Sequence, residues 1–569
     1  MTIRCALVAG PHTPVLPGGF HDAGSIGRAR LIVDARTTTW ISHGVALVGW
    51  AFHRQGYAPC EALTPPEVER IVASEGAWAI SQLWGNFLLF WAGEDGSTFL
   101  LRSPMSGPPL FCFTQDGSGG LVRTAFTDLP LARALGFALD TLDPERIDAW
   151  MRFPLLRGAA GEIRGVRELL PGEIAVLGED MTRPASWSPW DYTQRPPERI
   201  DPEELRDKVS RTVSAWSMRF ERVQLELSGG IDSSIMAACL SGRRRPWRGL
   251  TMATTDPDGD ERPYARAVAE HVGAPLAEWQ RPSFGDPMAP PQTLRARPGG
   301  FGLLGPSDGA YLEGAREFKA DAIFTGTGGD NVFGYLTSAA PVLDALRYEG
   351  PISGWRAAGD LAQLANDNMW RALGYAMKRL LKPPPLWPVD HSLLSRRFAR
   401  DHPEHPWMVE AHRASPGQQV YAIKLLIVQP FLDGYDRAVS MPMIAPLLSQ
   451  PIIEYTLGVP SWQWGEGGQN RALARKAFRQ DLPEMVIERL GKGRILSVFL
   501  PAFETHRQRL RSFLLDGWLA GAGLLDLDAV AALFADDTRP DPVMVTRILS
   551  FADIERWARS VAHPHAGGE

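Results

Sequence analysis

From residue 202 onward, short apolar runs alternate with amphipathic stretches, and this alternation constrains the fold more than any other feature of the chain. PEELRDKVSRTVSAWSMRF has helical spacing, and VQLEL followed by SGG reads as strand and turn. SSIMAACLSG then reads as helix, GLTMATT as strand, ERPYARAVAEHVG as helix, PLAEWQ as strand, and ADAIFTG as a strand running into TGGD. Strands separated by helices pair in parallel, because a parallel return needs a crossover long enough to hold a helix. From about residue 418 the pattern is mostly helical, as in NRALARKAFRQDL and DPVMVTRILSFADIERWARSVA. Two proline-rich stretches, 281–306 and 382–408, interrupt the alternation. Loops of that length are either lids over a site or plain surface insertions.

The first 185 or so residues follow a different rule. ALVAG, VALVGWAF, NFLLFWAG, STFLLRS, PLFCF and EIAVL are short apolar runs separated by turn residues, with PPEVERIVASEGA and PERIDAWMRF as helices between them. This predicts a β-rich unit of several short strands. SWSPWDYTQRPPERIDP, residues 186–202, is aromatic, polar and proline-rich and reads as the interdomain linker. A length of 569 residues suits two domains, 1–195 and 196–569.

The formal charge of -6 comes from 65 acids and 59 bases with no basic block, so a nucleic-acid surface is not expected. Four scattered cysteines (Cys5, Cys60, Cys112, Cys239) make neither a disulfide framework nor a C-x-x-C zinc site. MTIRCALVAGPHTP has too short an apolar run for a signal segment, and no stretch approaches the roughly 18–20 apolar residues of a membrane span. A cytoplasmic protein with no membrane partner and a small-molecule or peptide substrate is the expectation.

LELSGGIDSS, residues 225–234, carries the chemistry. It lacks the G-x-x-x-x-G-K-[ST] of a Walker loop and the G-x-G-x-x-G of a dinucleotide fold. It offers the backbone N–H groups of Ser228, Gly229 and Gly230, the hydroxyls of Ser233 and Ser234, and a helix N-terminus, all suited to a polyphosphate. Asp232 inside such a nest would repel phosphate without a cation between them, which implies Mg²⁺ with Asp232 as a ligand. FTGTGGDNVFGY, 324–335, supplies a second acid, Asp330, in a glycine turn after a neighbouring strand, where parallel sheets bind ligands. Between the two loops, Asp260 and Glu261 are either ordinary acids at a helix start or site residues. Met252 either packs on an adenine or belongs to the core. DHPEHP (401–406) lacks helical i, i+4 histidine spacing and reads as a turn.

The string S-G-G-x-D-S-S is that of the pyrophosphate loop of ATP pyrophosphatases. Together with the D-E-x-x-Y-A-x-x-V-A-x-H-x-G helix, the GTGGD turn and the late R-x-x-K-G stretch (Arg489, Lys492, Gly493), it resembles the asparagine-synthetase superfamily over nearly the whole chain. The resemblance implies an α/β fold: an N-terminal glutaminase-like αββα domain, then an ATP-pyrophosphatase domain with a parallel sheet and a helical C-terminal part. It implies ATP and Mg²⁺ as cofactors, with Asp232 and Asp330 as metal ligands. The nucleotide-binding set it implies is Leu227, Ser228, Gly229, Gly230, Asp232, Ser233, Ser234, Met252 and Gly326. Lys492, with Asp232 and Asp330, is implied as catalytic, its charge facing the α-phosphate and the reacting carbonyl. Arg471, Arg475 and Lys476 face either phosphates or solvent.

Departures from the family pattern are informative. Glutaminases of this type use an N-terminal cysteine whose free α-amine serves as base. Here position 2 is Thr2, Cys5 cannot expose an α-amine without trimming, and Gly85–Asn86 stands where the family has Gly-Asp. The N-terminal domain is therefore expected to keep its fold without releasing ammonia. In the glycine turn, Thr327 stands where asparagine synthetases have Glu and β-lactam synthetases have Tyr. GTGGDNVF, HPWM, PLLSQPIIEYTLGVPSW, and GGQNRALARKAF before LPEMVIERLGKG are similar to the cyclases that close lasso peptides. That resemblance implies adenylation of an Asp or Glu side chain of a precursor core peptide and attack by the core N-terminal amine, releasing AMP and pyrophosphate. It also implies two pathway partners, a leader peptidase and a leader-binding protein. A small-molecule amide synthetase and a non-catalytic scaffold of a maturation complex are the alternative readings.

Overall fold

The computed structural model describes residues 3–11, 14–117, 120–179, 183, 186–193, 198–253, 259–299, 302–398, 404–489, 491, 496–535 and 541–563. Its N-terminal part holds two antiparallel sheets. One is six-stranded, in the order Arg167–Leu169, Leu110–Gly117, Gly120–Phe126, Cys5–Ala9, Ala29–Asp34, Phe20–Ile26. The other runs Ile174–Val176, Thr98–Arg102, Leu83–Ala92, Val45–His53, Thr39–Ser42.

Strand alternation explains how these sheets stack. Cys5 and Leu7 share an apolar cluster with Ala46, Val48, Leu88 and Phe90 of the other sheet, which closes a sandwich. The intervening Ala6 and Val8 point outward, into a cluster with Leu129, Leu131, Ile147 and Met151. On the opposite side, Val45, Leu47, Leu89 and Trp91 meet Val68, Ile71, Ala79 and Ile80. Helices Leu129–Ala134 and Pro144–Arg152 thus cover one sheet, and Pro65–Ala73 and Ala77–Gln82 cover the other. The result is the expected αββα stack.

The C-terminal part is built on a five-stranded parallel sheet, ordered Leu276–Gln280, Trp247–Ala253, Val223–Glu226, Ala322–Phe324, Met443–Ile444. The last of these was not legible in the sequence, because two paired residues have no periodicity. Helices Pro202–Met218, Ile231–Leu240 and Arg262–Val272 fall where the spacing predicts them. Strand addition moves one way from Val223–Glu226 and later returns to its other side, so the crevice at the carboxyl ends of Val223–Glu226 and Ala322–Phe324 is the topological switch point.

The stretch read as a linker is instead an anchored strap. Trp187 and Trp190 are buried, and their indole N–H groups donate to Glu454 Oε1 and the Trp407 carbonyl at 3.0 Å each. The two halves also share core. Trp216, on helix Pro202–Met218, meets Phe52 and Trp84 edge-on, with ring centroids 4.8 and 6.1 Å apart. Helix Pro542–Ala562 packs Ile548, Phe551 and Trp557 into the cluster that holds Ile147 and Trp150 of the first half.

The proline-rich stretches are packed inward at several points. In 281–306, Arg297 is buried and donates to the Gly158 and Ala160 carbonyls at 2.7 Å, while Arg295 binds the Asp433 carbonyl and Asp436. In 382–408, Trp387 and Trp407 are buried, and His405 caps the short helix Pro406–Val409 by accepting the Trp407 N–H at Nδ1. Both stretches wedge the halves together at these points.

Candidate active site

The loop after Val223–Glu226 is tight because its side chains bond inward. Ser233 and Ser234 hydroxyls donate to the Gly230 carbonyl at 3.1 and 2.8 Å, and the Gly230 N–H donates to Ser228 Oγ at 3.3 Å. Gly229 takes φ +70°, and a Cβ there would lie 2.4 Å from Tyr264 Cβ. No other residue type fits both demands. Gly230 is the N-cap of Ile231–Leu240, so the loop N–H groups and the helix N-terminus face the crevice together. Leu227 is buried beneath this loop, its N–H donating to the Leu250 carbonyl.

The glycine turn of the neighbouring strand lies directly against Asp232. A Cβ on Gly329 would sit 2.5 Å from Asp232 Cβ, and one on Gly326 would sit 2.9 Å from the Ser233 nitrogen. The turn's glycines are what let two acids from different strands converge. Arg471 Nη1 donates to Asp232 Oδ2 at 2.9 Å and to Asp330 Oδ1 at 2.6 Å. Both carboxylates therefore face one point, which a cationic nitrogen occupies. In chemical terms Nη1 stands in for a cation there. Two carboxylates leave coordination positions for phosphate oxygens and water, as Mg²⁺ prefers, so the donor set fits that ion. Among the described residues no cluster of three or more His, Cys, Asp or Glu side chains is placed to hold a metal without such help.

Sequence reasoning left Arg471, Arg475 and Lys476 together, and the structure separates them. Arg471 is buried, with its backbone at φ +62°, and its guanidinium lies 5.6 Å from the Tyr335 ring. Arg475 braces the chain through the Asn470 and Arg489 carbonyls, and Lys476 pairs with Glu466 away from the acids. Two acids at adjacent strand ends require a nearby cation; which of three basic residues supplies it depends on the left-handed turn at position 471.

Arg489 has a second role that spacing did not reveal. It pairs with Glu261 at 2.9 Å, stacks on Tyr264 at 4.0 Å and donates to the Gly229 carbonyl at 3.3 Å. It latches the phosphate-type loop to helix Arg262–Val272. Asp260 instead pairs locally with Arg262. Met252 is buried with Leu250, Ala310, Trp279 and Tyr311, a core-type setting near its strand's carboxyl end. The Thr327 hydroxyl is bonded to that of Thr325 at 2.9 Å. Lys492 and Thr2 lie outside the described residues.

Beyond Asp330 the chain turns through Tyr335–Ala339, held by the Leu336 N–H donating to Asn470 Oδ1 at 2.7 Å. There a cavity of about 600 Å³ opens between this segment and helices Pro351–Ala365 and Met369–Leu381, with Asn470 at the end nearest Arg471.

The loop, the turn, both acids and Arg471 all lie within residues 204–559, which match the asparagine synthase family over more than half the chain. The chain belongs to the asparagine synthase family. No curated protein matches it. An asparagine synthase domain makes this an ATP-dependent amide-forming enzyme, and in open parallel sheets generally the switch-point crevice is where ligands bind. No described helix is long and apolar enough to cross a membrane.

Proposed function

We propose that this asparagine synthase family member is an ATP-dependent macrolactam synthetase acting on a peptide. An Asp or Glu side-chain oxygen attacks the α-phosphorus of ATP, and pyrophosphate leaves. The peptide's own N-terminal amine then attacks the acyl carbon, the bond to AMP breaks, and the nitrogen gives up a proton. The observation that carries the peptide reading is the cavity of about 600 Å³ beside Asp330, a volume in the range that holds drug-sized ligands and several peptide residues rather than one amino acid.

In this reading Asp232 and Asp330 hold Mg²⁺, which would neutralise the polyphosphate. Ser228, Gly229, Gly230, Ser233 and Ser234 receive the phosphates, and Gly326 and Leu227 shape the floor. Lys492 is assigned, on the family resemblance, to the oxyanion that develops at the carbonyl. Holding amine and acyl carbon together in one bound peptide turns a two-body reaction into a positioning task, which a walled cavity serves. The N-terminal domain has a structural part: Cys5 lies within a strand with its N–H bonded to Thr127 Oγ1 at 2.9 Å, and burial raises its thiol pKa, which disfavours the nucleophilic thiolate. A leader peptidase and a leader-binding protein would supply the trimmed peptide in the cytoplasm.

The test is incubation with Mg-ATP, a leader peptidase and candidate precursor peptides. The expected products are AMP, pyrophosphate and a core peptide lighter by one water. AMP formed only with a free amino acid would replace this reading with a small-molecule synthetase, and no AMP with any substrate would leave a scaffold.

A further inference from the structure

Helix Met369–Leu381 and the residue after it set Tyr375, Lys378, Arg379 and Lys382 along the large cavity. Its apolar floor comes from Leu361, Leu364 and Ala372. Among the described residues, no carboxylate lies within ion-pair distance of Lys378, Arg379 or Lys382. The cavity's own acid, Asp367, is taken by Arg371 at 3.2 Å. The nearest buried acid, Asp344, is satisfied by the Ser415 and Ser461 hydroxyls at 2.7 Å and by the Gly417 and Gln418 N–H groups. Lys424 adds a fourth cation nearby, its ammonium bonded to the Tyr335 carbonyl at 3.2 Å and to Thr337. Burial, and then repulsion from Arg379, push Lys424 down to about 8. A half-buried arginine with no ion-pair partner is an unmet demand for an anion.

ATP phosphates do not meet this demand in the proposed reading, since their cradle is the Gly229–Ser234 loop, whereas the cavity opens past the Asp330 turn. We propose that the cavity seats an acidic segment of the peptide substrate, whose side-chain carboxylates pair with Lys378, Arg379 and Lys382 while the carboxyl to be activated lies at the Asn470 end. The proposal rests on the peptide reading above and adds a charge preference to it. Lys378, Arg379 and Lys382 all line this one cavity, so two acids a few residues apart in an extended peptide can be met together.

The test is fluorescence anisotropy, without nucleotide, of a fluorescein-labelled twelve-residue peptide of Gly, Ser and Tyr carrying three Glu, against the same peptide with Gln in their place. The Glu peptide is expected to bind at least about tenfold more tightly, equivalent to about 1.4 kcal/mol. The triple variant K378Q/R379Q/K382Q should lose that preference at an unchanged melting temperature. The charge-reversed K378E/R379E/K382E should prefer a Lys-bearing peptide, which a folding defect would not produce. Equal binding of the Glu and Gln peptides, or a preference that survives the triple variant, overturns the proposal. Asp232→Ala keeps the Glu preference if the cavity works as stated, whatever happens to AMP formation. Glu-specific binding without AMP from any peptide would thus sink the macrolactam reading alone. AMP formation whose peptide KM is the same in wild type and triple variant would sink the acidic-segment assignment alone.

Discussion

Two arginine–carboxylate clusters in this molecule use the same side chains in opposite ways. Between the halves, Glu168 is ringed by Arg102 at 2.7 Å, Arg297 at 3.1 Å and Arg157 at 3.8 Å, with Asp433 and Glu162 completing the balance. Every one of these six groups but Asp433 is buried. Burial would raise Glu168, but the three arginines outweigh it and hold the carboxyl below its ordinary range. Burial wins at Glu162, which is raised despite Arg297. At the strand ends, Asp232 and Asp330 share one arginine on a left-handed backbone, Asp330 is 40% exposed, and a solvent-open cavity begins a few residues away. The first cluster is mostly buried and balanced in charge. The second gathers two acids on one arginine with one acid half open to solvent, and that is what separates a candidate site from a clamp.

The comparison breaks most sharply at its acids. Asp232→Ala is expected to reduce AMP release with a peptide substrate by about 10³-fold or more while leaving the unfolding midpoint near that of wild type. Activity that survives would remove the assigned metal role. Glu168→Gln should do the reverse: urea unfolding loses about 3–5 kcal/mol, because three buried guanidinium groups lose their common counter-charge. The folded fraction should still bind ATP. Gly329→Ala sharpens the distinction, since the new Cβ would strike Asp232 rather than open a cavity. A displaced carboxylate should lower adenylation about a hundredfold with only a modest change in melting temperature.

The smallest effect tests the clamp side through pH. Burial, and then Arg297, lower His405 to about 3. Between pH 6.5 and about 3 the unfolded chain takes up a proton at this position that the folded chain refuses, so stability falls as pH falls through that window. From pH 7 to pH 5 the His405 contribution is about 2 kcal/mol, and His405→Gln should remove that part of the slope in urea titrations at the two pH values. An unchanged slope would show that the Nδ1 cap can be protonated in the folded state.

Much of this was legible before any coordinates. The S-G-G-x-D-S-S loop and the TGGD turn read out directly because phosphate-type chemistry and backbone geometry both demand glycine at fixed places, and Gly229 and Gly329 meet those demands. The short apolar runs likewise predicted a β-rich N-terminal unit, whose strands proved two-faced, with Cys5 and Leu7 on one side and Ala6 and Val8 on the other. What stayed hidden were pairings between residues far apart in the chain. Arg471 meets Asp232 across 239 positions, and nothing local to NRALARKAF distinguishes it from its basic neighbours. Trp187 and Trp190 misled for the related reason that tryptophans among prolines look like linker until their indole partners are known. The strand Met443–Ile444 was too short to have a period.

The shared core has a consequence for how the protein comes into being. Helix Pro542–Ala562 covers the N-terminal helices: the Val561 carbonyl accepts from Arg133 at 2.8 Å, and Arg547 donates to the Met151 carbonyl at 2.6 Å. During synthesis the first half emerges hundreds of residues before the helix that seals one of its faces, so it cannot mature as an independent unit on the ribosome in the usual vectorial manner. Until residue 562 has been made, the apolar surface around Ile147 and Trp150 lacks the helix that covers it. A plasmid encoding either half alone should accordingly yield aggregates, while the two halves produced together can complete each other.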